Sequence, residues 1–131
     1  MKRFPIAAIL TAAFAAPAGA ALAAGDPTAG EAAFKACRVC HQVGEKARNF
    51  VGPELNGVIG RKAGTVPGYN YSDANRHSDL VWDEATLTRY LRTPREVVPG
   101  TKMAFPGFES ESDIANVIAY LRQFGPDGKK M

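Results

Sequence analysis

Cys37-Arg38-Val39-Cys40-His41 constrains this chain more than any other segment. Two thiols three residues apart lie on one side of a helical turn, and His41 follows one turn after Cys37. Cys-x-x-Cys-His is a pattern by which haem is attached covalently. The thiols add across two vinyl groups of one haem, and the histidine is aimed at the iron. The sequence holds two cysteines, and this motif uses both. A chain built on such a group must fold around a flat, rigid, apolar body.

Three other uses of the same residues fit the sequence less well. A thiol–disulfide redox pair wants a strand–helix–strand context, and no such alternation surrounds Cys37 and Cys40. Structural zinc needs four ligands. The supply here is Cys37, Cys40, His41 and a distant His77 in a polar segment. A disulfide between residues three apart would constrain little.

The first residues read as a leader rather than as part of the fold. Lys2 and Arg3 form a positive start, Phe4 to Ala16 is apolar, and Ala21-Leu22-Ala23 is an A-x-A-like cleavage site. The apolar run is short for a membrane span and is broken by Pro17 and Gly19. The expected organisation is a cleavable leader over residues 1–23, cut near 23/24, and one small domain over residues 24–131. A leader of this kind sends the chain to the periplasm, an oxidising compartment. So small a domain has a limited core of its own, and a buried haem would act as part of it.

Charge excludes one class of partner. The 16 basic and 13 acidic residues give a formal +3, and Lys2 and Arg3 supply two of the basic ones, so the remainder is formally +1. Two haem propionates would more than offset that. Nucleic-acid binding has no support. Lys35, Arg38, Lys46, Arg48, Arg61, Lys62 and Lys102 flank the segments assigned to the haem. They read as a solvated surface or as a docking face for an acidic partner.

Periodicity then gives an all-α domain with much loop. Asp26-Pro27 starts a helix, with Ala29, Ala33, Phe34 and Cys37 on one face. That helix is expected to run to about His41 to Val43. Gly30 is odd inside it, because glycine costs about 1 kcal/mol there relative to alanine. Gly44 to Tyr71 is punctuated by glycine and proline, as expected for loops around a haem edge. Short helices are expected at Tyr71 to Asn75 and at Asp83 to Arg92, the latter ended by Thr93-Pro94. In the final helix, capped by Ser110 or Ser112, Ile114, Val117, Ile118 and Leu121 recur at helical spacing before Gly125-Pro126.

A haem held by His41 has a second axial position. The candidates are Met103, His77, a lysine, Met131, or nothing. His77 lies in the polar run Asn75-Arg76-His77-Ser78-Asp79, and Met131 is the last residue of the sequence. Met103 lies in Pro99-Gly100-Thr101-Lys102-Met103-Ala104-Phe105-Pro106-Gly107, a loop framed by proline and glycine. A lone methionine is often a core filler, but in such a loop beside a covalent haem it reads as the ligand. Thioether ligation favours ferrous iron and raises the potential. With both axial positions taken by protein, oxygen and peroxide would not readily bind, which suits electron transfer and not oxygen chemistry.

With these ligands placed, the chain resembles a class I c-type cytochrome, similar to bacterial cytochrome c2 and mitochondrial cytochrome c. The resemblance covers nearly all of the domain. Gly30 and Phe34 precede the attachment motif, followed by Gly52-Pro53-Glu54-Leu55-Asn56-Gly57-Val58-Ile59-Gly60-Arg61 and Tyr69-Asn70-Tyr71-Ser72-Asp73-Ala74-Asn75. Trp82, Tyr90-Leu91, the Met103 loop and Tyr120-Leu121 complete it. The resemblance implies a small cytochrome c fold, with the first and last helices crossing and short helices and loops wrapped around one haem c. It implies thioether bonds at Cys37 and Cys40 and axial ligation by His41 and Met103. It further implies that Gly30 faces Tyr120 and that the Pro53 carbonyl orients His41. Tyr71 and Trp82 would bond the propionates, and Arg61 would offset their charge. Tyr90, Thr101 and Asn75 would form a polar network near Met103, with Phe105 beside the haem edge.

The function so implied is a soluble periplasmic one-electron carrier, a monomer without stable membrane insertion, and not an enzyme. It would take electrons from a quinol–cytochrome c oxidoreductase. A terminal oxidase or a photosynthetic reaction centre would receive them through weak, transient contacts. The alternatives are a dedicated electron-accepting subunit of a periplasmic dehydrogenase and a haem peroxidase or gas-binding cytochrome. One departure from the mitochondrial pattern is charge, since this chain lacks a dense lysine surface.

Overall fold

The computed structural model describes Ala12, Ala13 and residues 24–131. The leader expected over residues 1–23 lies, apart from those two alanines, outside the described residues. The elements run α1 (Pro27–Ala33), a 3-10 turn (Phe34–Ala36), α2 (Asp73–Arg76), α3 (Glu84–Arg92), α4 (Pro94–Val97) and α5 (Glu111–Arg122). Among the described residues there is no strand, only the isolated bridges Lys62 to Val81 and Phe124 to Lys130. The class is all-α, as the sequence implies.

Helix starts follow side-chain chemistry. Asp26 caps α1 by accepting from the Thr28 N–H at 2.9 Å, with Pro27 at the first helical position. Asp83 caps α3 by accepting from Thr86 at 2.8 Å, and Ser110 caps α5 by accepting from Asp113 at 3.3 Å. At the Asp83 cap those bonds from Thr86 hold the carboxyl below its ordinary range.

α1 and α5 cross at Gly30. A Cβ there would lie 1.9 Å from the Asn116 carbonyl oxygen and 2.8 Å from the Tyr120 Cβ. The glycine that weakens α1 locally thus lets the two backbones touch. Phe34, fully buried, stacks on Tyr120 with ring centroids 5.2 Å apart. Arg38 donates to the Tyr120 hydroxyl at 3.0 Å, tying the attachment turn to α5. Ile114, Val117, Ile118 and Leu121 are buried on α5 and join Phe34, Trp82, Leu87, Tyr90, Leu91 and Val98 in one core.

Three boundaries differ from those read in the sequence. α1 ends at Ala33 and not near His41, because the Phe34 carbonyl takes two donors, Cys37 N–H at 2.8 Å and Arg38 N–H at 3.1 Å. Such sharing tightens a helix end. The Cys37 carbonyl repeats the pattern with Cys40 and His41. α2 is shifted to Asp73–Arg76, capped by Ser72. Pro94 ends α3 but also opens α4, where its missing N–H costs nothing.

Two devices close the loops onto this frame. Gly60 N–H to Trp82 O, Trp82 N–H to Arg61 O and Ala63 N–H to Leu80 O, each 2.8 Å, bring Arg61 beside Trp82. At the other side Phe108 N–H bonds Leu91 O at 2.8 Å, and Gly107 turns at φ +112 against the Arg92 carbonyl. The Met103 loop is thereby anchored to the end of α3.

Replacing Gly30 with alanine should destabilise the haem-loaded protein by about 1–3 kcal/mol, the cost of overpacking against backbone that cannot swing away. Urea denaturation checks this, and an unchanged midpoint would mean that α1 and α5 do not need the contact.

Candidate functional site

The turn after α1 delivers Cys37, Cys40 and His41 to a cavity of about 370 Å³. That size is usual for a ligand or cofactor site. Its apolar wall includes Phe34, Val58, Leu87, Leu91, Val117 and Leu121. Met103 lines the same cavity, as do Pro53, Arg61, Tyr71, Asn75, Trp82, Tyr90, Thr101 and Phe105. All twelve site residues singled out in the sequence are therefore brought together. His77 is exposed and lies outside the lining.

His41 is fixed on two sides. Its Nδ1 lies 2.7 Å from the Pro53 carbonyl oxygen. A carbonyl only accepts, so Nδ1 carries the proton and Nε2 keeps its lone pair. Burial lowers the imidazole pKa; the Pro53 bond opposes that shift, and the nearby Arg61 charge adds to it. The ring is thus neutral and ready to act as a nitrogen ligand. Gly52 backs it so closely that a Cβ would lie 2.5 Å from Cε1. The sequence shows Gly52-Pro53 only as a turn signal and gives no hint of this contact.

Cys37 and Cys40 are free cysteines, both half-buried. Burial, with the neighbouring Cys40, pushes the Cys37 thiol up to about 11. A thiol–disulfide centre works by a depressed thiol pKa and an electropositive setting, the reverse of what surrounds Cys37. Among the described residues no three side chains of His, Cys, Asp or Glu gather into a metal-holding group, so zinc would lack ligands.

Met103 is held by a closed circuit of hydrogen bonds. Its backbone N–H donates to Thr101 Oγ1 at 3.3 Å. Thr101 Oγ1 and the Tyr90 hydroxyl are 3.1 Å apart, and Tyr90 donates to the Met103 sulfur at 3.8 Å. Tyr90 stacks on Trp82 with centroids 4.7 Å apart. Phe105 packs on Phe108 at 4.9 Å. Beside Met103, the Lys102 amine bonds the Asn70 carbonyl and sits 4.9 Å over the Tyr69 ring. Tyr69 in turn donates to Val51 O at 2.7 Å, linking this wall to the His41 side. The sequence assigns Tyr69 no such role.

Polar groups collect around Arg61. Its guanidinium donates to Asn56 O at 3.0 Å and to Glu54 O at 3.3 Å, leaving others of its five N–H groups free. The Tyr71 hydroxyl accepts from Val66 N–H at 3.0 Å and still has its own proton to donate. Burial raises the Tyr71 pKa, keeping that proton in place. The Asn75 backbone bonds Ser72, but its Oδ1 is buried without a protein partner, so the polar network near Met103 does not extend to it. An orphan of this kind marks where a further partner belongs. Two thiols, a neutral imidazole and a thioether in an apolar cavity, with a cation and a phenol at one part of it, fit haem c.

Comparison with known proteins agrees. The family model for cytochrome c matches residues 27–125. The chain is 58% identical over 118 residues to cytochrome c-554 of Methylosinus trichosporium, covering 90% of this chain and 89% of that protein. It is 55% identical over 107 residues to cytochrome c2 of Rhodoblastus acidophilus, covering 82% of this chain and 100% of that protein. The solved structure of cytochrome cH from Methylobacterium extorquens aligns with a TM-score of 0.72 and 47% identity over 76% of this chain and 99% of that one.

Replacing Tyr71 with phenylalanine should leave the buried Val66 N–H without an acceptor. The expected loss is about 1–3 kcal/mol of stability. Denaturant unfolding of the haem-loaded variant measures it, and parental stability would show that the bond is dispensable.

Proposed function

This chain belongs to the cytochrome c family as a class I c-type cytochrome, and from that premise we propose that it is an exported, soluble one-electron shuttle. The family holds haem c covalently and carries electrons. When bound, the haem supplies a one-electron Fe(II)/Fe(III) couple, which a thioether ligand would bias toward the ferrous state. In this reading Cys37 and Cys40 form the thioether bonds, while His41 Nε2 and Met103 Sδ ligate the iron. The observation that carries it is the pairing of a neutral His41, its Nδ1 proton donated to the Pro53 carbonyl, with a Met103 held by Tyr90 and Thr101 in one apolar cavity.

The protein's residues then have three tasks. His41 and Met103 present soft or neutral donors already oriented, so little rearrangement accompanies a change of charge. The apolar wall excludes water. Arg61, Tyr71 and Trp82, which line the cavity, would hold the propionates, and Arg61 would offset their charge. In this reading both axial positions would belong to protein side chains, His41 and Met103, which favours a carrier over an enzyme.

Export to the periplasm rests on the leader-like residues 1–23. Among the described residues no helix is long and apolar enough to cross a membrane. The donor we propose is a quinol–cytochrome c oxidoreductase, and the acceptor a terminal oxidase or photosynthetic reaction centre. Of the basic residues near the cavity, Arg38, Arg61 and Lys62 are paired with Glu31, Glu54 and Asp79. The other four of that set, Lys35, Lys46, Arg48 and Lys102, have no ion-pair partner among the described residues. Steering toward an acidic partner is accordingly weak, and contacts would be brief.

An absorption spectrum of the reduced, periplasm-expressed protein, with and without carbon monoxide, tests the ligand set. The expected spectrum does not change with the gas, whereas that of Met103→Ala shifts at once. A parental spectrum that shifts immediately would mean an open iron site and would sink the carrier reading.

A further inference from the structure

We propose that Glu54 is a positioning residue that holds the Arg61 guanidinium against the turn at residues 54–56 and so limits the positive charge lent to the haem propionates. The inference rests on the haem-carrier reading above and adds a residue to which that reading gives no role.

The geometry is that of a built clamp. Glu54 Oε2 accepts from the Asn56 N–H at 2.7 Å, and Oε1 lies 3.8 Å from the Arg61 guanidinium. Arg61 meanwhile donates to the carbonyls of Glu54 and Asn56. The clamp is itself fixed from behind. The Glu54 N–H donates to Asn49 Oδ1 at 3.0 Å, and the Asn56 carboxamide exchanges two bonds with Gly44, each 2.9 Å. Both charged side chains are mostly buried, at 17% and 22% exposure. Solvent therefore screens the pair less than it would a surface ion pair.

Arg61 also lies where its charge reaches the site. It lines the cavity and opposes the upward shift of the Tyr71 pKa. Glu54 acts on Tyr71 in the opposite sense. Among the described residues, the only other lysine or arginine lining the cavity is Lys102, which bonds the Asn70 carbonyl. A carboxylate that holds Arg61 back therefore competes with any carboxylate of the cofactor for the same guanidinium. Competition of that kind leaves more negative charge near the iron and disfavours the ferrous state.

Redox titration of the haem-loaded protein tests this with Glu54→Gln, which keeps an acceptor for Asn56 and loses the charge. At fixed solution potential the ferrous-to-ferric ratio should rise about threefold, or about 28 mV at about 59 mV per tenfold for one electron. In an Arg61→Gln background the same change should fall to less than half, because the guanidinium is no longer there to release. A potential unmoved by Glu54→Gln overturns the proposal. So does a rise that persists in full without Arg61, since Glu54 would then act by its own charge. Should Glu54→Gln fail to fold, Glu54→Asp keeps the charge with a shorter reach. It should shift the potential the same way by less, and a parental value overturns the proposal. A merely structural Glu54 would lower the urea midpoint and leave the potential alone. The carbon monoxide response of the parent reports the carrier reading separately.

Discussion

The contact of Gly30 with the backbone of α5 is the joint on which the rest of this structure turns. Only a residue without a Cβ lets Pro27–Ala33 lie against Asn116 and Tyr120. Once it does, Phe34 is driven into the core and the chain tightens into the turn that carries Cys37, Cys40 and His41. The same α5 supplies Val117 and Leu121 to the cavity wall. One helix crossing therefore sets the attachment turn and the floor of the cavity together. The loops are hung from it afterwards. Gly57 N–H bonds Phe124 O at 3.0 Å beyond the end of α5, and Phe108 bonds the end of α3.

That order matters for a cofactor site assembled from loops. Loop backbone must find partners for its polar groups, and long irregular runs seldom do so in a small domain. Here side chains take the place of a sheet. Asn56 serves both backbone groups of Gly44, Asn49 serves Glu54 and Pro67, and the Tyr71 hydroxyl serves Val66. Such networks, mostly part-buried here with the Tyr71–Val66 bond buried, are strong only when satisfied throughout. They leave the ligand-bearing residues little freedom, which is what a site that changes only its charge requires.

Much of this is written locally. The caps at Asp83 and Ser110, the α5 stripe and the Cys-x-x-Cys-His motif are short-range patterns, and each folds as its residues dictate. The Met103 loop is legible for the same reason, since proline and glycine frame it. What the sequence conceals depends on partners far along the chain. The stop of α1 at Ala33 comes from a carbonyl shared by two donors, a geometry with no composition signal. Gly52 looks like a turn glycine until His41 is seen against it. Glu54 looks like a surface acid until its carboxylate meets Asn56 and Arg61. Pro94 reads as a stop because propensity says what it ends, and only tertiary packing, which buries it fully, shows that it also begins α4.

The electrostatics follow the same division between rigid apolar wall and organised polar edge. At the wall, burial lowers the His41 pKa and pushes the free Cys37 thiol up to about 11, and a thioether at Cys37 would carry no charge either. At the edge, Arg61 is desolvated, which lowers its pKa, yet an arginine remains charged at any ordinary pH. Of the two cations that line the cavity among the described residues, Arg61 is the mostly buried one, and its charge does not depend on protonation at ordinary pH. A lysine there could lose its proton under the same desolvation, and it would lack the fork that bonds two carbonyls while keeping donors to spare. Arginine is thus the residue that lets such a small chain keep a permanent positive charge beside an apolar cavity, held there by two backbone carbonyls and the Glu54 carboxylate.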